Sequence, residues 1–312
     1  MGYCIFKFAF HSGVHFGAGQ LEDSEIVLHA DTLFSALFQV ALKHGNGDEK
    51  RLLNLVKSDK LKISDLFPYM NSNRYFLPKP LVYVAGNQEE VSSTVRKAYK
   101  NMKYIAEDVF EEYLQGAMPF ERTDDLKNLG KSDMRTVATI RMEEETLPYR
   151  IGTYYFEEGN GLYCIAQYEE DDIYYFLSEL LDELSYEGIG GKRSSGLGRF
   201  GLYQDKLPEK LEKMLGAQTD QNVTLSASLP TDEELEAVIA NSRYQILKRS
   251  GFVASEHYSN AYMRKKDLYV FAAGSVFDRR YLGDVYDVSD GGSHPVYRYA
   301  KPLFIGIESK KV

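Results

Sequence analysis

The amino-acid sequence predicts an α+β fold organised in two lobes. The chain has 312 residues, 44% of them hydrophobic, and this length is more typical of two domains than of one. In the first two-thirds, strand-like and helix-like segments follow in the order strand, helix, insertion, strand, strand, helix, strand. Without the insertion, this is the βαββαβ order of a ferredoxin-like domain. We therefore expect such a domain over 1–206, interrupted by an insertion at about 85–148.

The first strand and the first helix carry clear local signals. Apolar residues alternate with others up to Phe10, which predicts a strand. The segment from Asp31 to Lys43 has apolar residues around most of its circumference, as a buried helix does. Asp31 is placed to cap the first free amides of this helix, and Gly45 is placed to end it.

The end of the first domain has the same kind of signals. Two alternating segments, Tyr149 to Phe156 and Leu162 to Tyr168, flank an Asn160-Gly161 pair, which predicts that they pair as a hairpin. Apolar residues then recur at helical spacing from Ile173 to Leu184. A glycine-rich run over 188–200 separates this helix from the last strand of the domain.

The second lobe, 222–312, is interpreted as a degenerate ferredoxin-like domain. The residues Thr231 to Glu234 form a capping box that opens a short helix. A second helix is not evident, and no sequence repeat demonstrates a duplication. We place the link between the lobes near Leu207 to Gln221. The strand-like segments of this lobe are Asn222 to Leu229, Arg243 to Lys248, Asp267 to Ala273 and Pro302 to Ile307.

Charge is distributed unevenly along the chain. The net charge of −9 argues against a protein that coats DNA, because phosphate binding relies on lysine and arginine. Residues 169–187, the acidic segment, carry eight acids and no lysine or arginine. Residues 243–266, the second basic segment, carry six lysines and arginines against one glutamate. The pattern predicts a basic surface that suits a polyanion and an acidic surface elsewhere.

Other features of the sequence predict the compartment. No stretch approaches the roughly 18–20 consecutive apolar residues of a membrane-spanning helix, and the N-terminus lacks the features of a secretory signal. We therefore expect a cytoplasmic protein with no membrane contact. Cys4 and Cys164 lie far apart in apolar segments, so we expect two reduced, buried thiols rather than a disulfide or a metal pair.

The run Gly188-Ile-Gly-Gly-Lys-Arg-Ser-Ser-Gly-Leu-Gly-Arg-Phe200 is the strongest candidate for a binding site. Glycine permits close backbone approach, serine adds hydroxyl donors, and lysine and arginine meet phosphate charge. A P-loop is excluded because Arg193 follows Gly191-Lys192, and because the run lies between a helix and a following strand. A dinucleotide-binding loop fails on the same topological ground. The pattern suits a sugar-phosphate chain, with a flexible loop carrying incidental basic residues as the plainer alternative.

Five segments spread along the chain form a distinctive combination. They are the glycine-rich run, Phe10 to Gly17, His29 to Leu37, Gly274 to Phe277 and Tyr299 to Gly306. Together they resemble the RAMP subunits of type III-A CRISPR effectors that hold the 5′ handle of the CRISPR RNA (crRNA). The resemblance implies two ferredoxin-like (RRM-like) domains, a thumb inserted in the first domain, and no catalytic activity. We expect no cofactor.

The resemblance also implies partners and site residues. The partners are crRNA, the large polymerase-like CRISPR subunit, the repeated backbone RAMP subunit and, through the guide duplex, target RNA. The thumb would lie near Lys131 to Arg150. No catalytic or metal-ligating residue is expected. The residues that the resemblance assigns to RNA binding are His15, Gly17, Gly188, Gly190, Gly191, Lys192, Arg193, Ser194, Ser195, Gly196, Gly198 and Arg199.

Other classes of function stay open at this point. A RAMP-fold endoribonuclease that processes precursor crRNA would use acid–base chemistry, for which His11, His15 or His29 is a candidate. No second catalytic partner is evident for these histidines, and the spacing of His11 and His15 fixes no metal geometry. A nuclease that cuts target RNA with Asp23 or Asp31 is disfavoured because Asp31 is interpreted as a helix cap. A protein-interaction module is the remaining class, with the acidic segment as a solvated helix face or a docking surface.

Overall fold

The computed structural model describes residues 1–17, 19–84, 93–138, 148–255, 257–259 and 262–308. The strands of the first part are β1 (Gly2–Phe10), β2 (Phe16–Gly17), β3 (Ser24–Glu25), β4 (Leu61–Ile63), β5 (Phe67–Met70), β6 (Arg74–Pro78), β7 (Tyr104–Ala106), β8 (Gly130–Ala138), β9 (Pro148–Phe156), β10 (Gly161–Tyr168) and β11 (Phe200–Asp205). The helices of this part are α1 (Ala30–His44), α2 (Asp48–Lys57), α3 (Ser93–Asn101), α4 (Phe110–Leu114) and α5 (Asp171–Glu187). The second part contains α6 (Glu209–Gly216), α7 (Asp232–Ile239), β12 (Asn222–Thr224), β13 (Ile246–Arg249), β14 (Leu268–Phe271), β15 (Val276–Phe277), β16 (Val285–Asp287), β17 (Tyr297–Tyr299) and β18 (Phe304–Gly306).

A seven-stranded antiparallel sheet forms the centre of the first part. Its order is β11-β1-β10-β5-β6-β7, and β4 also pairs with β10. In the middle of the sheet, Ile5 of β1 lies between Ile165 of β10 and Asp205 of β11. Phe6 and Phe8 are completely buried. The strand predicted up to Phe10 is confirmed, because both of its edges are paired and its apolar residues enter the core.

The two long helices of the first part follow their sequence signals. α5 buries the apolar residues from Ile173 to Leu184 that define its helical spacing, and it packs against α1, β10 and β11. α1 ends at Gly45, which adopts the left-handed conformation with a φ of 67°. The predicted apolar spacing of α5 and the predicted end of α1 at Gly45 are both confirmed. Each depends on residues within the helix or directly after it. No helix in the described ranges is long and apolar enough to cross a membrane.

The helix cap predicted at Asp31 is wrong. The side-chain oxygen that caps the start of α1 belongs to Asp65, whose Oδ1 accepts a hydrogen bond from the Ala30 amide at 2.8 Å. Asp31 itself is buried in the first turn and accepts hydrogen bonds from Arg249 and Arg298 of the second part. These partners are separated from Asp31 by 218 and 267 positions in the sequence, so no local pattern identifies them.

The hairpin predicted around Asn160 is also wrong, although both of its strands exist. β9 pairs over its whole length with β8, from Gly130 opposite Phe156 to Ala138 opposite Pro148. β10 pairs instead with β1, β4 and β5. The Asn160 side chain donates to the carbonyls of Asn128 and Leu129, so it ties two loops together. The insertion therefore supplies the partner strand that a hairpin would have supplied.

The second part consists of small sheets that pack on the first. One sheet has the order β15-β12-β18, while β13 pairs with β14 and β16 pairs with β17. The predicted capping box is confirmed, with Thr231 N donating to Glu234 Oε2 at 3.0 Å. One core cluster contains residues of both parts, among them Val223, Leu225 and Ile305. The second part thus completes the core of the first.

Candidate functional site

The glycine-rich run forms an ordered turn between α5 and β11. Gly188 ends α5 with a φ of 80°, and the run closes on itself through a 2.9 Å hydrogen bond from Ile189 N to the Gly198 carbonyl. Between these ends, Lys192 adopts the left-handed conformation with a φ of 58°, and the residues Arg193–Ser195 form a single 3₁₀ turn. A flexible loop would lack such closure, so the run has a defined shape.

The first loop of the chain, 11–17, lies directly against the run. Gly198 N donates to the Gly13 carbonyl at 2.9 Å, and Gly191 N donates to the His15 carbonyl at 2.8 Å. A third bond joins His11 N to the Arg199 carbonyl at 3.0 Å. The structure therefore brings together the two segments that the sequence analysis assigned to one site.

The glycines of the run serve two different purposes. A Cβ on Gly198 would lie 2.0 Å from the Ile189 carbonyl oxygen, so close backbone packing requires glycine there. A Cβ on Gly196 would meet open space, and only its φ of 85° favours glycine. Gly188 and Gly198 are buried. They shape the turn from within, and the middle of the run faces outward.

The rim of the turn is cationic and rich in donors. Ser194, Ser195 and Arg199 are exposed, and no described residue accepts a hydrogen bond from the backbone amides of 192, 193 or 194. The Lys192 ammonium lies 3.3 Å from the Tyr149 hydroxyl and 4.9 Å from the centre of the Tyr149 ring. Successive amides without a described acceptor, beside lysine, arginine and serine side chains, suit an anionic oxygen group.

Arg193 is held at the side of this rim. Its guanidinium donates to Gln39 Oε1 of α1 at 3.3 Å and lies 3.7 Å from the Glu187 carboxylate. Neither Gln39 nor Tyr149 has a sequence signal that links it to the run, because both come from distant elements. Gly13 could have been found, since it stands in the loop already assigned to the site.

The two expected residues of the first loop differ in exposure. The His15 side chain is buried, with 6% exposure, and its Nδ1 lies 2.7 Å from the Gly152 carbonyl oxygen. A Cβ on Gly191 would lie 2.7 Å from the His15 ring, so His15 forms the floor under the run. Gly17 is exposed in β2 and has no atom near a hypothetical Cβ.

The β8–β9 ribbon rises beside the site. Val14 of the first loop exchanges two backbone hydrogen bonds with Tyr154 of β9, at 2.8 and 2.9 Å. Arg135 and Arg150 are exposed on the ribbon, and the Lys131 ammonium pairs with Glu157 at 2.8 Å. Of the expected thumb near 131–150, the positions 139–147 lie outside the described residues.

The histidine and aspartate candidates for catalysis lie in separate places. His29 Nδ1 lies 2.7 Å from Asp65 Oδ2, a pairing that the sequence did not reveal. The other Asp65 oxygen accepts from the amides of Ala30 and Ala227, so this carboxylate anchors backbone. His11 and Asp23 are exposed, whereas Asp31 is inside an ion cluster.

The acidic segment and the second basic segment are both partly neutralised. α5 lies beside cations of α1, α2 and the loop after α2. One of them is His44 of α1, whose pKa is raised by its hydrogen bond to Asp48 and then by its hydrogen bond to Glu183 of α5. In the second basic segment, Arg249 is committed to Asp31. The ion pairs of the acidic segment are Lys60–Glu169, Arg51–Asp172, His44–Glu183, Lys43–Glu187 and Arg193–Glu187.

Both cysteines lie in strands of the central sheet, Cys4 in β1 and Cys164 in β10. Cys4 and Cys164 are free and buried, as expected, and burial raises the pKa of the Cys4 thiol to about 12. Within the described ranges, no group of three or more His, Cys, Asp or Glu side chains is placed to hold a metal ion.

Comparison with known sequences gives consistent matches over the chain. The family model described as CRISPR Csm4 C-terminal domain matches residues 217–307. The CRISPR system Cms protein Csm4 of Mycobacterium tuberculosis is 39% identical over 311 residues, covering 97% of both chains. The protein of the same name from Streptococcus thermophilus is 34% identical over 316 residues, covering 99% of this chain and all of the relative.

Comparison with solved structures shows the same fold at lower identity. A chain in the crystal structure of a Csm3-Csm4 subcomplex of the type III-A CRISPR-Cas interference complex aligns with a TM-score of 0.66 at 17% identity, covering 99% of this chain and 100% of that chain. A chain in the crystal structure of a Csm1-Csm4 cassette in complex with AMPPNP aligns with a TM-score of 0.63 at 20% identity, covering 100% of both.

Proposed function

The chain belongs to the Csm4 family of RAMP subunits of type III-A CRISPR complexes, and from this premise we propose that it is a non-catalytic scaffold that holds the 5′ handle of crRNA. The observation that carries the proposal is the ordered glycine-rich turn with a cationic rim. An ordered turn that carries amides, hydroxyls and cations suits a sugar-phosphate chain, and nothing in the turn resembles an acid–base pair.

The proposed site separates residues that contact RNA from residues that shape the turn. Lys192, Arg193 and Arg199 meet phosphate charge. Ser194 and Ser195 donate from their hydroxyls. Gly196 and Gly17, whose Cβ positions are open, let the RNA approach the backbone, while Gly188, Gly190, Gly191, Gly198 and the buried His15 hold the shape of the turn. In this arrangement His15 is a positioning residue, because its ring is covered by the run.

We extend the proposal to the fold. The strand and helix order β1-α1-β4/β5-β10-α5-β11 supports a ferredoxin-like first domain over 1–206, with an insertion between β6 and β10 that adds β7 to the edge of the sheet. The β8–β9 ribbon is the proposed thumb, which meets target RNA paired with the guide. The small sheets of 222–308 form the proposed second, degenerate ferredoxin-like domain.

The proposed partners follow from the solved relatives. Csm4 chains occur with Csm3 in one crystal structure and with Csm1 in another, and the structural alignments with them cover 99% and 100% of this chain. We propose that it likewise joins a repeated backbone RAMP subunit to a large polymerase-like subunit. Exposed acids of α5 beside the glycine-rich run offer a surface for a basic partner.

The test is the double substitution Lys192→Ala with Arg193→Ala. We expect the affinity for RNA that bears the handle to fall about tenfold or more in moderate salt, because two charge-assisted phosphate contacts are lost. Fluorescence anisotropy with a labelled handle RNA measures the affinity, and co-purification measures assembly. The slope of log affinity against log salt should become shallower by about 1.4.

The matched control is Lys60→Ala with Lys213→Ala. It removes the same charge from two exposed lysines that pair with Glu169 and Glu209, away from the run. Handle affinity and salt slope that change equally in both double variants would contradict the proposal.

The endoribonuclease alternative has its own readout in the same preparations. The His29–Asp65 pair is the one observation in its favour. We expect repeat RNA to stay intact with the purified protein. A discrete cleavage product that disappears in the His29→Ala or His11→Ala variant would contradict the scaffold proposal and identify the protein as an endoribonuclease.

A further inference from the structure

The ribbon of β13 and β14 has an open face that the proposed function does not use. Its register places Lys248 opposite Tyr269, and a bridge between Phe252 and Arg264 extends it. Along β13 and the segment after it, the residues at 246, 248, 250 and 252 are exposed, whereas those at 247, 249, 251 and 253 are partly buried. The ribbon therefore has an inner face and an outer face with the two-residue period of a strand.

The inner face is anchored to the body of the protein. Leu247 and Val270 pack in one cluster with Ala227 and Ala300. Arg249 donates two hydrogen bonds to the buried Asp31 carboxylate, at 3.0 and 2.8 Å. Because the inner face is fixed by apolar contacts and by an ion pair, the outer face is held in place toward solvent.

The outer face combines flat apolar groups with cations. Ile246 is 58% exposed, and Phe252 and Tyr269 are each 57% exposed. The Arg264 guanidinium lies 5.4 Å from the centre of the Phe252 ring, and Lys248 stands across from Tyr269. Among the described residues of 243–271, Asp267 is the one acid, and it pairs with Lys248 at 2.8 Å. Exposed apolar side chains grouped in this way mark an interaction site.

We propose that this outer face binds single-stranded nucleic acid without regard to sequence. Exposed rings stack on bases of any identity, while neighbouring lysine and arginine side chains neutralise the phosphates. Outward side chains on one strand repeat at about 6.8 Å, so Ile246, Lys248 and Phe252 form a row that an extended strand can follow.

Charge complementarity fits a polyanion, and the exposed rings select nucleic acid over an acidic protein segment. Both carry negative charge, but carboxylate side chains do not use the flat faces of Phe252 and Tyr269, whereas every base does. The outer face shares no residue with the glycine-rich run. The proposal therefore stands apart from handle binding, and either surface can be disabled alone.

The experiment measures binding of a labelled oligouridylate of about twelve nucleotides to the full chain. The background is Lys192→Ala with Arg193→Ala, which lowers the contribution of the glycine-rich run equally in every variant compared. Adding Phe252→Ala with Tyr269→Ala should weaken binding about tenfold or more, because two stacking platforms are lost. Adding Lys248→Gln with Arg264→Gln instead should reduce the salt slope by about 1.4.

The matched control removes two exposed rings from an acidic surface. Tyr175→Ala with Tyr186→Ala on α5 should leave oligouridylate binding unchanged, since acids surround both tyrosines. Circular dichroism of all variants checks that the fold is kept. Oligouridylate binding that is the same in the ribbon and α5 variants would overturn the proposal. The proposal would also be overturned if the ribbon variants lost assembly with the other subunits while oligouridylate binding stayed unchanged. That result would make the outer face a protein-docking surface.

Discussion

The glycine-rich run and the second basic segment have similar fractions of lysine and arginine but different structural roles. In the glycine-rich run the cations stand on the rim of a turn whose glycines are packed inside. In the second basic segment, alternate positions face opposite ways: Arg249 enters a buried ion cluster while Lys248 and Arg264 stay at the surface. A run of positive charge therefore predicts a polyanion surface only after the period of its secondary structure is known.

The buried cluster has an excess of cations. Burial by itself would raise the pKa of Asp31, but the charge and hydrogen bonds of Arg249, with Arg298 next, outweigh it and hold the pKa well below its usual range. Lys265 lies near all three groups. Burial, followed by the charge of Arg298, lowers the pKa of Lys265 to about 8.

The largest expected effect is that of removing the central carboxylate. Asp31→Asn leaves Arg249 and Arg298 buried without an anion, and we expect it to lower the free energy of unfolding by about 3–5 kcal/mol. Urea denaturation followed by circular dichroism measures this loss. Asp172→Asn is the matched control, because Asp172 also lies in the first turn of a helix and pairs with an arginine, but at the surface. We expect the control to cost less than about 1 kcal/mol; equal losses would show that the buried cluster is not special.

A smaller loss is expected inside the glycine-rich run. Gly198→Ala places a Cβ against the Ile189 carbonyl, whereas Gly196→Ala places it in open space at a similar positive φ. The φ strain is common to both, so we expect Gly198→Ala to cost about 2 kcal/mol more in unfolding free energy. Handle-RNA affinity should also fall more for Gly198→Ala. Equal losses of unfolding free energy in the two variants would mean that the hydrogen bond between Ile189 and Gly198 can shift to accommodate the added Cβ.

The smallest expected effect is that of Lys265, and it is tested through the pH dependence of the free energy of unfolding. Lys265→Met keeps the long side chain and removes a charge that burial disfavours, so we expect roughly 1 kcal/mol of added stability at pH 7. The folded pKa of about 8 lies below the ordinary value of 10.5, so the unfolded chain binds more protons between these values. The wild type therefore gains stability as the pH rises from about 8 toward 10.5, and the advantage of Lys265→Met should shrink. An advantage that is constant with pH would exclude Lys265 as its source.

The sequence determined those features whose causes lie within a few residues. The period of the apolar residues in α5, the left-handed end of α1 at Gly45 and the capping box at Thr231 are local, and all three are present. The position of the glycine-rich run between a helix and a strand excluded the common nucleotide loops for the same reason.

Tertiary structure decided which distant groups meet. It paired β9 with β8 instead of β10, gave the start of α1 to Asp65, and placed Asp31 with Arg249 and Arg298. It also put His15 beneath the run rather than on its surface. A strand or a carboxylate accepts any partner of suitable chemistry, and only the packing of the whole chain brings one particular partner within hydrogen-bonding distance.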